Sequence, residues 1–128
     1  MKILQSVIVK QILTEKTKAR LTEKYNKEIM QLDKECEQLL FEEKKQLRKS
    51  VLQEAKIKSY YKNERNKRMK KKTAIEFQLE QIHILPLGSE IKEREATAVV
   101  EIKEGDNWED QTAAKTIILK DGIVHEIH

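Results

Sequence analysis

Polar and apolar residues alternate in three different ways along the chain. Residues 2–13 (KILQSVIVKQIL) are dense in β-branched side chains and predict a strand. From Thr14 to about Ile82 there is neither Gly nor Pro, and Lys, Glu, Gln, Leu and Arg dominate, which predicts helix. Thr14 is placed to cap it, with Glu15 in the first turn. Leu85-Pro86-Leu87-Gly88-Ser89 breaks the pattern. Beyond it, Ala96, Ala98, Val100 and Ile102 alternate with polar residues as in a half-buried strand. Thr116–Leu119 and Ile123–Ile127 flank Asp121-Gly122, a strong hairpin signal.

Within the helical zone the apolar positions form a narrow seam: Leu21, Tyr25, Ile29, Leu32, Cys36, Leu39 or Leu40, Leu47 and Val51, with a gap at Glu43. Steps of three and four suit a coiled coil, so this helix needs a helical partner. The zone is too long to be one helix of an ordinary globule, at about 100 Å if straight. The run Lys62–Lys72 (KNERNKRMKKK) holds seven Lys/Arg and one Glu, pointing all round a helix axis, and carries no dry seam.

The first strand must pair with the C-terminal strands, because a lone strand is unstable. Two arrangements bring them together: an intrachain helical hairpin, or two antiparallel chains that exchange first strands. Both run the helices antiparallel about a midpoint near Arg48, which sets Lys62–Lys72 against the acids of Glu23–Glu35. A parallel pair would stack the basic run on itself. Ser50-Val51-Leu52-Gln53 fits a capping box at the midpoint and favours the hairpin.

Composition sharpens this outline. Charged residues make up 38% of the 128, well above the usual ~25%, as expected for a long solvated helix. Residues 1–72 carry a net charge of +11 and residues 73–128 a net charge of −7, which the overall +4 conceals. Such a dipolar chain pairs its unlike regions or meets a charged partner. One Cys excludes a disulfide framework, and three Gly exclude a Gly-rich phosphate cradle. No apolar run spans a membrane and no signal peptide opens the chain, so the expected compartment is the cytoplasm.

The segments MKILQSVIVKQILT, EFQLEQIHILPLGSEIKE, VVEIKEGDNWED and TIILKDGIVHEI resemble the YlqD family of small bacterial proteins. LPLGSEI and EGDNW are the most specific parts, whereas Lys16–Lys72 matches only in character. The resemblance implies a bacterial cytoplasmic protein of unassigned activity with no catalytic residue to carry over. The gene neighbours of that family imply a place near RNA and ribosome maturation.

Candidate chemistry is sparse. Cys36 lies in the seam, where a cysteine acts as a small hydrophobe. Ser6, Ser50, Ser59 and Ser89 stand in no nucleophile motif. His125 and His128 fall on opposite faces of a strand, so with His83 they are not expected to share a metal. Residues 104–110 fail the calcium-loop pattern. Lys67, Arg68, Lys70, Lys71 and Lys72, after Tyr60 and Tyr61, are the candidate phosphate contacts, the alternative being that acids on the chain neutralise them. Trp108, with Asp106, Glu109 and Asp110, either meets a basic partner or caps a thin sheet. The basic run lacks an apolar face, and no membrane partner is expected.

The expectation is therefore an α+β protein in three parts. Residues 1–13 give the first strand, 14–82 a long antiparallel helical arm, and 83–128 the rest of a small antiparallel β unit. No cofactor, metal or small-molecule substrate is expected. The expected role is a non-enzymatic interaction protein that binds a protein partner or itself through the arm, or RNA or the ribosome. An RNA- or metal-dependent enzyme would need converging His and acidic residues at the β end.

Overall fold

The computed structural model describes residues 1–128. In order, the elements are β1 (Lys2–Ile12), α1 (Glu15–Lys49), a 3-10 turn (Val51–Gln53), α2 (Glu54–Ile84), β2 (Glu90–Glu101), α3 (Trp108–Thr112), β3 (Lys115–Lys120) and β4 (Ile123–Ile127). They form two compact units. The sheet unit holds Met1–Ala19 and Leu85–His128, and the hairpin unit holds Arg20–Ile84. No helix is long and apolar enough to cross a membrane.

The sheet has the order β2-β1-β3-β4. β1 pairs antiparallel with β2 from Lys2 opposite Glu101 to Ile12 opposite Glu90, with one irregularity at Val9/Lys10. The α+β class expected from the pattern is the one observed. One pairing differs: β1 and β3 run parallel, with Val7 opposite Lys115, so the sheet is mixed rather than antiparallel throughout. The cause is the connection between β2 and β3. β2 ends beside the start of β1, and the segment carrying α3 delivers β3 to the other side of β1 from that same end. The side-chain amide of Gln5 on β1 donates to the Ala113 carbonyl of this segment.

Strand alternation puts Ile3, Gln5, Val7, Val9 and Gln11 on one face, and burial deepens along it. Val7, Val9, Leu13 and Ile118 are the buried apolar residues of this unit. Asp121 and Gly122 both have positive φ (50° and 82°), as a two-residue type I′ turn requires, and they join β3 to β4.

Thr14 caps α1 as the sequence indicates: its Oγ1 accepts the Thr17 N–H at 3.1 Å. The same hydroxyl donates to Asp121 Oδ1 at 2.6 Å, tying the helix start to the β3–β4 turn. The breaker segment is held to the same place, because Leu13 N–H donates to the Ser89 carbonyl and Gly88 N–H to the Leu13 carbonyl.

In the hairpin unit the chain folds back on itself. α1 runs unbroken to Lys49 because nothing in Lys45–Lys49 stops a helix. The return is made by Ser50 and the 3-10 turn, without Gly or Pro. The expected capping box does not form: the Ser50 side chain makes no capping bond, and the Gln53 N–H reaches the Ser50 backbone carbonyl instead. Leu21 and Ile82 are the buried apolar residues of this unit. Between them, half-buried Tyr25, Ile29, Leu32, Cys36 and Leu39 mark the seam of α1, and Ile57, Tyr61, Arg68, Lys72, Ile75 and Leu79 mark that of α2. Leu39 takes the seam position and Leu40 faces solvent. Val51, assigned to the seam by spacing alone, is exposed at the turn.

Candidate nucleic-acid interface

The basic run lies within α2, and the neighbouring helix divides its charges. The gap in the apolar seam of α1 is filled by Glu43, only 8% exposed, whose carboxylate pairs with Arg65. Arg68 stands 3.6 Å from Glu35 and also pairs with Glu64 one turn earlier on its own helix. Lys72 donates to Asp33 at 2.8 Å and lies 3.8 Å from Glu76. These contacts centre the hairpin on the turn at Val51–Gln53, not on Arg48. Lys62–Lys72 therefore faces Asp33–Glu43 rather than Glu23–Glu35, a shift that follows from α1 running on to Lys49.

The paired groups are electrostatically settled. The hydrogen bond from Lys72 to Asp33 raises the ammonium pKa above its ordinary value. The hydrogen bond to Glu64 does the same for Arg68. In return, hydrogen bonds from Arg68 and then Lys67 hold the Glu64 carboxyl below its ordinary value. Arg68 and Lys72, two of the five candidate phosphate contacts, thus have their charge answered inside the protein.

The other three are exposed, Lys71 at the edge of a depression it shares with Glu28, Gln31 and Leu32 of α1. Lys67 touches Glu64 at 3.1 Å, yet its side chain remains largely exposed. Lys70 and Lys71 are exposed and make no ion pair, as is true of Lys62. Tyr60, Asn63, Lys67 and Lys70 follow one another by three, four and three residues, which places them on one side of the helix. A shallow depression lined by Tyr60, Asn63, Glu64, Asn66, Lys67 and Lys70 confirms that they share a surface. Lys56 extends the same stripe by one turn. Tyr61 packs edge-on against Tyr60, with ring centroids 5.0 Å apart and planes at 86°, and so props an exposed ring. Burial pushes the Tyr61 phenol pKa up.

Reading the basic run by itself could not show this stripe. With all seven cations counted, they surround the axis. Once the seam removes Arg65, Arg68 and Lys72, an aromatic and basic side remains. The signal was available in the spacing of Ile57, Tyr61, Arg68, Lys72, Ile75, Leu79 and Ile82, which continues a seam through the charged segment.

The remaining candidates are not part of this face. Trp108 opens α3 and is 62% exposed, so it does not cap the sheet. Asp106 Oδ2 accepts the Lys103 N–H, and Asn107 Oδ1 caps α3 through the N–H groups of Glu109 and Asp110. Glu109 and Asp110, next in sequence to Trp108, are exposed as well. Cys36 is a half-buried seam residue. His125 and His128 both approach Glu126, at 4.0 and 2.8 Å, while His83 belongs to α2 in the other unit. No group of three or more His, Cys, Asp or Glu side chains stands together as a metal site.

Together these features define a small α+β protein, a mixed four-stranded sheet joined in sequence to an antiparallel helical hairpin. The chain belongs to the YlqD family, whose profile, described as YlqD protein, matches residues 1–128. It is 40% identical over 131 residues to the uncharacterized protein YlqD of Bacillus subtilis (strain 168), covering 99% of this chain and 98% of that one. The fold is also similar to a crystal structure of a protein of unknown function from Synechococcus sp. WH 8102. That match has a TM-score of 0.88 at 21% identity, over 100% of this chain and 94% of that chain.

Proposed function

We propose that the protein is a non-enzymatic, cytoplasmic RNA-binding protein that holds single-stranded RNA against the outward side of α2. The observation that carries this reading is the stripe of Tyr60, Asn63, Lys67 and Lys70, with Lys71 unpaired beside it. Lysines neutralise phosphates, an exposed tyrosine offers a stacking surface, and asparagine amides reach base edges and ribose hydroxyls. Tyr60 to Lys70 spans about 15 Å of helix, enough for a few nucleotides.

Titration of fluorescent single-stranded RNA with the full chain tests this. The triple variant K67E/K70E/K71E should lose at least about tenfold in affinity at low salt, while its helix content stays the same. Unchanged affinity would remove the assignment. A second reading rests on Trp108, which is exposed amid Asp106, Glu109 and Asp110. An indole with an acidic rim suits a basic protein surface. Trp108→Ala would then weaken that protein contact and leave RNA affinity untouched.

A further inference from the structure

The turn of the hairpin presents chemistry that neither its fold nor the RNA-binding face requires. Leu52 is 99% exposed and Val51 76% exposed, side by side in the 3-10 turn. A helix–helix turn is readily made from Gly, Asn, Ser or Asp, so two aliphatic side chains at its apex serve no local purpose. Around them the flanking helix ends carry Lys44, Lys45, Arg48 and Lys49 on α1 and Lys56 and Lys58 on α2, all exposed. Of the nearby acids, Glu43 is buried against Arg65 and Glu54 holds Lys58 at 2.6 Å, which leaves half-buried Glu42 against the other cations of this end.

At about 100° per residue Lys44, Arg48, Lys45 and Lys49 fall within an arc of about 140° on the side of α1 away from its seam, while Lys56 and Lys58 stand on opposite sides of α2, so cations flank the turn on more than one side. Exposed cations flanking an aliphatic apex match a flat anionic surface met by the end of the hairpin. They match a nucleic acid poorly, because the apex carries no aromatic ring or amide to stack on or read a base. We propose that the turn docks on an anionic lipid surface, with Val51 and Leu52 entering the boundary between headgroups and acyl chains and the surrounding Lys and Arg bound to phosphodiester headgroups. No helix crosses the bilayer in this arrangement, in keeping with the polar character of both helices. The basic run itself lacks an apolar face; the apolar element is the turn, whose Val51 is assigned to the seam by spacing alone.

Co-sedimentation of the full chain with vesicles tests this directly. Vesicles of phosphatidylcholine mixed with phosphatidylglycerol should carry the protein down at low salt, and vesicles of phosphatidylcholine alone should not. The double variant V51D/L52D should cut binding to the mixed vesicles by tenfold or more. R48E/K49E should do likewise, whereas K67E/K70E/K71E should retain most of it, which keeps this proposal separable from the RNA reading. Both residues of V51D/L52D are open to solvent, so the variant folds, and circular dichroism verifies it. In a W108F background, Leu52→Trp should shift its emission to the blue only when the anionic vesicles are added. Absence of binding to the mixed vesicles overturns the proposal. So does V51D/L52D binding as well as wild type, which would mean charge alone is at work. Equal binding to both vesicle types also contradicts it.

Discussion

In the sheet unit Val7, Val9, Leu13 and Ile118 are shut away from water. In the middle of the hairpin unit half-buried apolar residues such as Leu32, Cys36 and Tyr61 are interleaved with ion pairs between Asp33, Glu35 and Glu43 on one helix and Arg65, Arg68 and Lys72 on the other. The first arrangement gains free energy from each apolar side chain it removes from water. The second adds to a partly buried apolar seam a set of ion pairs that gain little net energy but fix which residue meets which. α1 is amphipathic and α2 is hardly so, because α2 carries its charges on the seam as well as away from it. The contrast indicates that the sheet unit supplies stability and that the hairpin supplies a register and a sorted set of charges.

The largest expected effect is on the sheet unit. Leu13→Ala empties a fully buried position and should cost about 2–5 kcal/mol in denaturant unfolding. A loss below 1 kcal/mol, on the order of a surface substitution, would contradict the contrast from the sheet side. Next comes the ionic seam. Glu43→Ala strands Arg65 and should cost about 1–3 kcal/mol. Replacing Glu43 and Arg65 together by leucine should restore most of that loss, since an apolar pair at a buried position competes well with an ion pair. A double-mutant cycle reads the difference, and a zero coupling energy would show that the pair does not set the register. Thr14→Ala removes both a helix cap and the bond to Asp121, for about 0.5–2 kcal/mol.

The smallest effect is the pH dependence of the hairpin. Glu64 has its pKa lowered in the folded state, so its contribution is full above the ordinary 4.5 and is lost as pH falls through the lowered value. Lys72 has its pKa raised, so its contribution is full below 10.5 and is lost as pH rises through the raised value. The thermal midpoint of the helical signal should therefore be flat between these limits and decline on both sides. A midpoint still rising well below pH 4.5 would show that the Glu64 contacts do not matter.

The sequence carried much of the fold because its local signals agree with one another. β-branched residues 2–13, the Thr14 cap, the Pro86–Gly88 break and Asp121-Gly122 each appear where the pattern indicates. The parallel pairing of β1 with β3 was not legible, since no local feature states from which end a strand arrives. The position of the turn was legible only in part. Ser50 lies in it, but the absence of a breaker hides where α1 ends, and a shift of a few residues changes every facing pair. The candidate interface was the least legible. Its residues were visible as a basic run, yet which of them face outward depends on pairing partners more than 20 residues away, such as Glu43 with Arg65. The apolar turn is hidden for a related reason: Val51 continues the seam spacing past the end of the helix.

The central claim is that the hairpin sorts its cations into neutralised and free sets. The salt dependence of single-stranded RNA binding measures that sorting. The logarithm of affinity against the logarithm of salt concentration should have a slope that flattens by about 0.7 for each phosphate-bound lysine removed. K67Q/K70Q/K71Q should flatten the slope by about 2, while R68Q/K72Q should leave it unchanged. Equal flattening in the two variants, or none in the first, would contradict the claim.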